Sequence, residues 1–371
     1  MPIQRPSWLP SYIPELQGLR GIAVLAVVFY HCHPRLKGTP LDHASLWGWA
    51  GVNLFFVLSG FLITSILLET RSEPHYFRNF YARRALRIWP VYALVLVVCA
   101  VFSDWFLNQG IEAFRHAFGW IICGLFLQNL FHLTLPSAIG PTWSLAIEEQ
   151  YYFLWAPLVR VLKHPAVLAS VLALALIGSP VLRLTHHAWL TPTHSLIHLD
   201  GIAWGSLLAL GLHTLAFPRR TLTMLGLAGA VVGFWATATI AGGTAFLDSA
   251  LAIAFAGIVL ASIASTGARN PINVALRRGP LPFYGRISYG LYMTHIMVFI
   301  YLGWVDVRMD RFGMAGNLAV VAFRCVACTA VATALWYGFE SRILILKRLF
   351  ANPGRLSSVP KGTPTASTDP Q

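Results

Sequence analysis

The feature that most constrains this chain is a succession of apolar runs, each about twenty residues long, separated by short arginine-bearing connections. At 1.5 Å per residue, such a run is long enough as a helix to cross the ~30 Å hydrocarbon core of a bilayer. Candidate spans lie near 16–33, 49–69, 88–107, 144–162, 166–184, 198–216, 222–241, 246–265, 284–304 and 315–338. Only 11% of the residues are charged, against about 25% in soluble domains. The expectation is an all-α polytopic membrane protein with about ten spans.

The formal charge of +13 would suit a nucleic-acid binder if the basic residues formed one surface. They cluster between the apolar runs instead, where they set membrane orientation, so the expected partner is the bilayer and not nucleic acid. With both termini cytoplasmic, the lysines and arginines divide roughly twenty inside to six outside. An eleventh apolar stretch, 115–133, contains Arg115, His116, Gln128, Asn129 and His132. If it crossed, the charge division would invert, so 108–142 is expected to be an outer, partly embedded loop. Residues 1–348 read as one membrane domain. Residues 349–371, rich in Pro, Ser and Thr, read as a disordered cytoplasmic tail. The first run lacks a small-residue cleavage site and is expected to stay as an uncleaved span. Cys32, Cys99, Cys123, Cys325 and Cys328 show no metal-ligand spacing and read as buried thiols.

Polar residues inside apolar runs are costly and therefore point to chemistry. In the run Glu15–His33, Arg20 and His31 stand eleven positions apart. That is about three turns, which places both on nearly one face with roughly 16 Å between them along the axis. Arg20 could instead snorkel to headgroups while His31 ends the helix. His33, about 200° around the helix from His31, should face elsewhere.

Four other stretches stand out. Asn53–Thr64 contains Ser59-Gly60, a small-residue notch that permits close helix packing or close approach of a ligand. Arg78–Pro90 carries Arg83, Arg84 and Arg87. These arginines could set topology or bind anionic lipid, or their forks could clamp phosphate oxygens. Pro141–Tyr152 holds Trp143, Ser144, Glu148 and Glu149. The two glutamates could serve a helix N-terminus, or Glu148 could pair with Arg20 or His31. Gly285–Ile296 places His295 near Ser288, Tyr289 and Tyr292, either as a packing histidine or as part of a site.

These pieces, LQGLRGIAVLAVVFYH with its R-x10-H pattern, GVNLFFVLSGFLI, FYARRALRIWP, PTWSLAIEEQYYFLWAP and GRISYGLYMTHI, resemble the acyltransferase-3 family of bacterial integral membrane acyltransferases. They occur in the family's order from about Tyr12 to Lys347. The resemblance implies O-acylation of an envelope or exported glycan, such as a lipopolysaccharide or exopolysaccharide, at the bacterial cytoplasmic (inner) membrane. Some members carry an added SGNH hydrolase-like domain, and this chain is expected to lack one. The donor implied is cytoplasmic acyl-CoA, with acetyl the expected group, and no permanently bound cofactor or metal is expected.

The residues fit that chemistry. Neutral histidine suits proton abstraction from a hydroxyl near neutral pH, and developing charge on a thioester carbonyl needs a positive or hydrogen-bonding group. The candidate catalytic residues are His31, Arg20 and Glu148. Arg83, Arg84, Arg87 and Ser59 are the candidate donor-binding residues, and Trp143, Ser144 and His295 the candidate acceptor-binding residues. The alternative from another class is a transporter or channel with Arg20, His31 and Glu148 along an ion path, although no inverted repeat is detectable. A catalytically idle scaffold of the same fold is a third reading, which intact Arg20 and His31 disfavour. Oligomeric state and any separate soluble partner are not encoded in these motifs.

Overall fold

The computed structural model describes residues 5–102, 114, 117–131, 133–185, 190–240 and 244–350. It is helical throughout, with no strand among the described residues. The long helices are α1 (Pro14–His31), α2 (Gly51–Thr70) and α3 (Tyr76–Val101), followed, after the short α4 (Ala117–Gly124), by α5 (Thr142–Val161). The remainder are α6 (Pro165–Thr185), α7 (Leu199–Thr214), α8 (Arg219–Thr239), α9 (Thr244–Ala264), α10 (Ser288–Tyr301) and α11 (Gly313–Leu335). Seven described helices, α2, α3, α6, α7, α8, α9 and α11, are long and apolar enough to cross a membrane, so this is a multi-pass membrane protein. Polar and charged residues lower the hydropathy of α1 and α5, and α10 has only 14 residues.

Two expected boundaries move. The third apolar helix starts at Tyr76, not near Ile88, because no helix breaker separates the basic stretch from the apolar one. Its arginines therefore ride on the helix instead of preceding it. In the 108–142 region, the described part before α5 holds the 8-residue α4 and the 3-10 turn Ser137–Ile139; α4 is about 12 Å long, too short to cross. The chain then turns at Phe126, where φ is +57°. Gln128 Nε2 donates to the Thr142 carbonyl (3.2 Å) and Asn129 Nδ2 to the Trp143 carbonyl (2.9 Å), returning the chain to the start of α5. Residues 108–113, Arg115, His116, His132 and the tail from Ala351 lie outside the described residues.

Burial sorts the helices into two groups. The most apolar windows of α2, α7 and α9 are 67%, 61% and 61% buried, whereas those of α3, α6, α8 and α11 are 22–28% buried. The first three form the inner layer; the others present apolar side chains outward, as lipid contact requires. α2 meets α7 at backbone contact. A Cβ on Gly60 would lie 2.0 Å from the Ile202 carbonyl oxygen, and one on Gly205 would lie 2.0 Å from that of Val57. Without a hydrophobic force between helices in lipid, this small-residue approach supplies the packing. The notch at Ser59-Gly60 thus has one packing residue, Gly60, and leaves Ser59 one position around the helix to face elsewhere.

Candidate active site

Residues of α1, α2, α3, α5 and α10 line a cavity of about 110 Å³. Its charged lining is Arg20, Arg84, Arg87 and Glu148, with Ser59, Ser144, Ser288, Tyr289 and Tyr292 among the polar groups. Six sequence candidates therefore meet in one place: Arg20 from α1, Ser59 from α2, Arg84 and Arg87 from α3, and Ser144 and Glu148 from α5.

The hydrogen bonds converge on one oxygen. Glu148 Oε2 accepts from Ser59 Oγ (2.8 Å), from Tyr152 OH (2.6 Å) and, more loosely, from Arg84 Nη2 (3.4 Å). Ser59 Oγ also contacts Tyr152 OH. Arg84 Nη2 donates to Tyr152 OH at 2.6 Å, and the guanidinium carbon stands 4.3 Å from that ring's centroid. Glu148 and Tyr152 are four apart on α5, which puts both on the face toward α3. Arg20 Nη2 donates to Ser288 Oγ at 3.1 Å. Higher in the cavity, Ser144 Oγ and Tyr292 OH are 2.6 Å apart, and Tyr292 OH donates to the Pro141 carbonyl at 3.1 Å.

His31 and His295 stand just beyond this lining. The Tyr292 ring lies 5.9 Å from that of His295, and the His295 ring 4.8 Å from that of His31. His295 is fully buried, whereas His31 is half-buried. Tyr292 is thus the partition between the arginine-lined cavity and the histidine pair.

A family model for an acyltransferase domain matches residues 13–337. The chain belongs to the acyltransferase-3 family. Among its curated relatives, the peptidoglycan O-acetyltransferase OatA of Listeria monocytogenes serovar 1/2a is 28% identical over 314 residues, covering 77% of this chain and 49% of the relative. The putative peptidoglycan O-acetyltransferase YrhL of Bacillus subtilis is 36% identical over 188 residues, covering 46% of this chain and 28% of the relative. The O-acetyltransferase OatA of Staphylococcus aureus is 32% identical over 171 residues, covering 42% and 26%. The chain spans about half the length of these relatives or less. No solved structure matches it. Residues 13–337 thus carry the family's acyltransferase domain.

Several candidate positions differ from their expected company. Glu148 serves neither the start of its helix nor, by direct contact among the described residues, Arg20 or His31. It lies in the second turn of α5, and its carboxylate is engaged by Ser59, Tyr152 and Arg84. Arg83, expected to share a face with Arg87, is exposed and absent from the lining; Arg84 and Arg87 form the cavity pair instead. Arg83 is rotated about 100° around the helix from Arg84. Trp143 is also outside the lining, its ring 5.0 Å from that of His198 and 6.2 Å from that of Phe56. His33 turns away, as expected, with Nδ1 2.9 Å from Ser45 Oγ and 3.4 Å from Asp42.

Two participants were not singled out from the sequence. Tyr152 was signalled by its spacing from Glu148. Glu340 ends the π-helical turn Trp336–Glu340, is 2% exposed, and has Arg87, Arg20 and Lys347 as electrostatic neighbours. Both its carboxylate oxygens are buried without a hydrogen-bond partner. A buried carboxylate within a run headed by Trp336-Tyr337 was the available signal, and π-helical turns gather at functional sites.

Proposed function

We propose that this acyltransferase moves an acetyl group from cytoplasmic acetyl-CoA to a hydroxyl of an envelope glycan, across ten helices with both termini in the cytoplasm of a bacterial inner membrane. The observation that carries the reading is the polarity of the site. An arginine-lined cavity containing Arg20, Arg84 and Arg87 leads toward Tyr292, and a half-buried histidine, His31, stands beyond it. The helix axis gives Arg20 and His31 a separation of roughly 16 Å, a span that an extended pantetheine arm can bridge. Guanidinium forks suit the donor's phosphates, and the dominant basic side of the charge division is the side from which acetyl-CoA comes.

In this reading His31 takes the proton of the acceptor hydroxyl as its oxygen bonds to the thioester carbonyl carbon. The carbon–sulfur bond then breaks, and the proton passes from His31 to the departing thiolate. Glu148, Ser59 and Tyr152 hold Arg84 in place, while Ser144 and Tyr292 border the path toward the acceptor. The peptidoglycan O-acetyltransferase relatives make peptidoglycan the first acceptor to test. The tail beyond residue 349 belongs to the cytoplasmic side in the same scheme.

The deciding experiment uses the full chain in proteoliposomes, with acetyl-CoA as donor and a tetrasaccharide of alternating N-acetylglucosamine and N-acetylmuramic acid as probe acceptor. Wild-type protein should form an O-acetyl ester detectable by mass spectrometry. His31→Ala should lower the rate by the about 10²–10⁴-fold that a general base contributes, at normal membrane levels. Transfer by His31→Ala at a near-normal rate would end the mechanism. Reporter fusions after Arg220 and after Arg286 should read cytoplasm, and one within 108–142 should read outside; the reverse at the two arginine sites would break the ten-span scheme.

A further inference from the structure

We infer that His295 is a positioning residue that, together with the Val27 carbonyl, fixes which ring nitrogen of His31 carries the proton and how the ring is oriented; the inference rests on the reading of His31 as the base. The geometry leaves one consistent assignment. Nδ1 of His295 lies 2.7 Å from the Tyr292 carbonyl oxygen. A carbonyl only accepts, so this nitrogen bears the hydrogen, and Nε2 of the neutral ring presents a lone pair. That Nε2 lies 3.2 Å from Nδ1 of His31. Nδ1 of His31 also lies 2.9 Å from the Val27 carbonyl oxygen. Both of its neighbours are acceptors, so Nδ1 of His31 is the donor to each, and Nε2 is left bare. The opposite tautomer would set lone pairs against one another at both contacts.

The surroundings hold this arrangement. His295 is 0% exposed, so water does not stand in for either partner. The Phe299 ring packs edge-on at 6.0 Å, and Cys328 Sγ donates weakly to the His295 carbonyl. His31, by contrast, is only half-buried. When Nε2 of His31 takes the hydroxyl proton, the ring becomes an imidazolium whose Nδ1–H donates more strongly to the Val27 carbonyl and to Nε2 of His295. His295 keeps its own proton throughout. It does for the base what a buried carboxylate does in a hydrolase triad, holding tautomer and orientation, but as a neutral acceptor. A neutral acceptor is the less costly choice at membrane depth, where an extra buried carboxylate would be expensive.

The test uses purified full-length protein in nanodiscs, with acetyl-CoA and the same tetrasaccharide probe. Nitrogen-15 histidine spectra, with His31→Gln used for assignment, should show Nδ1 of His31 protonated and Nε2 bare in the wild type. His295→Phe keeps a buried ring but removes the acceptor. It should lower kcat about 10- to 100-fold, less than loss of the base itself, with KM for acetyl-CoA within about twofold. His295→Gln, whose amide oxygen can take the place of Nε2, should recover a large part of that loss. A wild-type His31 protonated at Nε2, or a His295→Phe enzyme with wild-type kcat, would overturn the assignment. So would a Gln variant no better than Phe, which would reduce His295 to packing. The spectrum reads the pairing in unmodified protein, so it separates this inference from the base assignment: an active His31→Ala enzyme, together with a wild-type spectrum in which Nδ1 of His31 is protonated, would sink only the latter.

Discussion

Two buried clusters of charge in this molecule are built in opposite ways. Near the start of α7, Arg183 from α6 is saturated: Nη2 bonds to Asp200 and Ser249 (2.6 and 2.7 Å), Nε to the Ala245 carbonyl (2.6 Å), and Nη1 to the Ile197 carbonyl. Asp200 in turn accepts from Ser249 and from the Gly201 amide. With side chains 7% and 3% exposed, this pair ties α6, α7 and α9 together and leaves nothing for a ligand. The cavity cluster is looser. Arg84 meets Glu148 at 3.4 Å and Glu149 at 3.6 Å, and Arg84 Nε, Glu149 Oε1 and both Glu340 oxygens are buried without hydrogen-bond partners. Burying a charge is costly unless its partners are complete. A complete cluster holds the fold; the incomplete one beside the cavity is, in the function proposed above, where the donor binds.

That contrast predicts a separation of effects. The largest falls on the saturated pair. Asp200→Ala strands the buried Arg183 and should cost about 3–5 kcal/mol of stability, seen as lower yield and a lower unfolding temperature in detergent. Molecules that do fold should bind acetyl-CoA normally; weakened donor binding would erase the distinction between the clusters. Next comes Arg87→Ala, which should leave the unfolding temperature nearly unchanged. It should weaken acetyl-CoA binding about tenfold or more, from the loss of about 1.5–3 kcal/mol of charge-assisted hydrogen bonding. Unchanged affinity by calorimetry would make Arg87 a topology residue only. Arg20→Lys should have a smaller effect, several-fold in kcat/KM, because a point charge replaces a fork that already spends one nitrogen on Ser288. The smallest belongs to Arg83→Ala, since Arg83 is exposed and outside the cavity lining. Its acetyl-CoA affinity should stay within about twofold of wild type, falling only at low salt, where exposed charges act over longer distances.

The sequence was most informative where a single helix decides the matter. Arg20 and His31 are aligned by three turns of one helix; His33 lies past the end of that helix and turns to Ser45. It was least informative where two helices must meet. The periodicity of α3 allowed Arg83 with Arg87 as readily as Arg84 with Arg87, and only the position of α5, bringing Glu148 and Tyr152, selected the second pair. Ser59-Gly60 admitted a packing reading and a ligand reading. The glycine took one against Ile202, and the serine turned into the cavity. His295 read as a packing histidine or a site residue until α10 set it 3.2 Å from a nitrogen 264 positions earlier in the chain.

By itself, then, the sequence determined that this chain is a bundle of apolar helices and which of its polar residues lie within them. Lipid offers the backbone no partner, so each apolar run must satisfy its own hydrogen bonds and become helical whatever its neighbours. Only the tertiary structure decided which charges are paired, which are left for a ligand, and which histidine nitrogen is bare. Those outcomes depend on the distance between atoms on different helices, and the period of a helix sets a direction around its axis without saying what stands there.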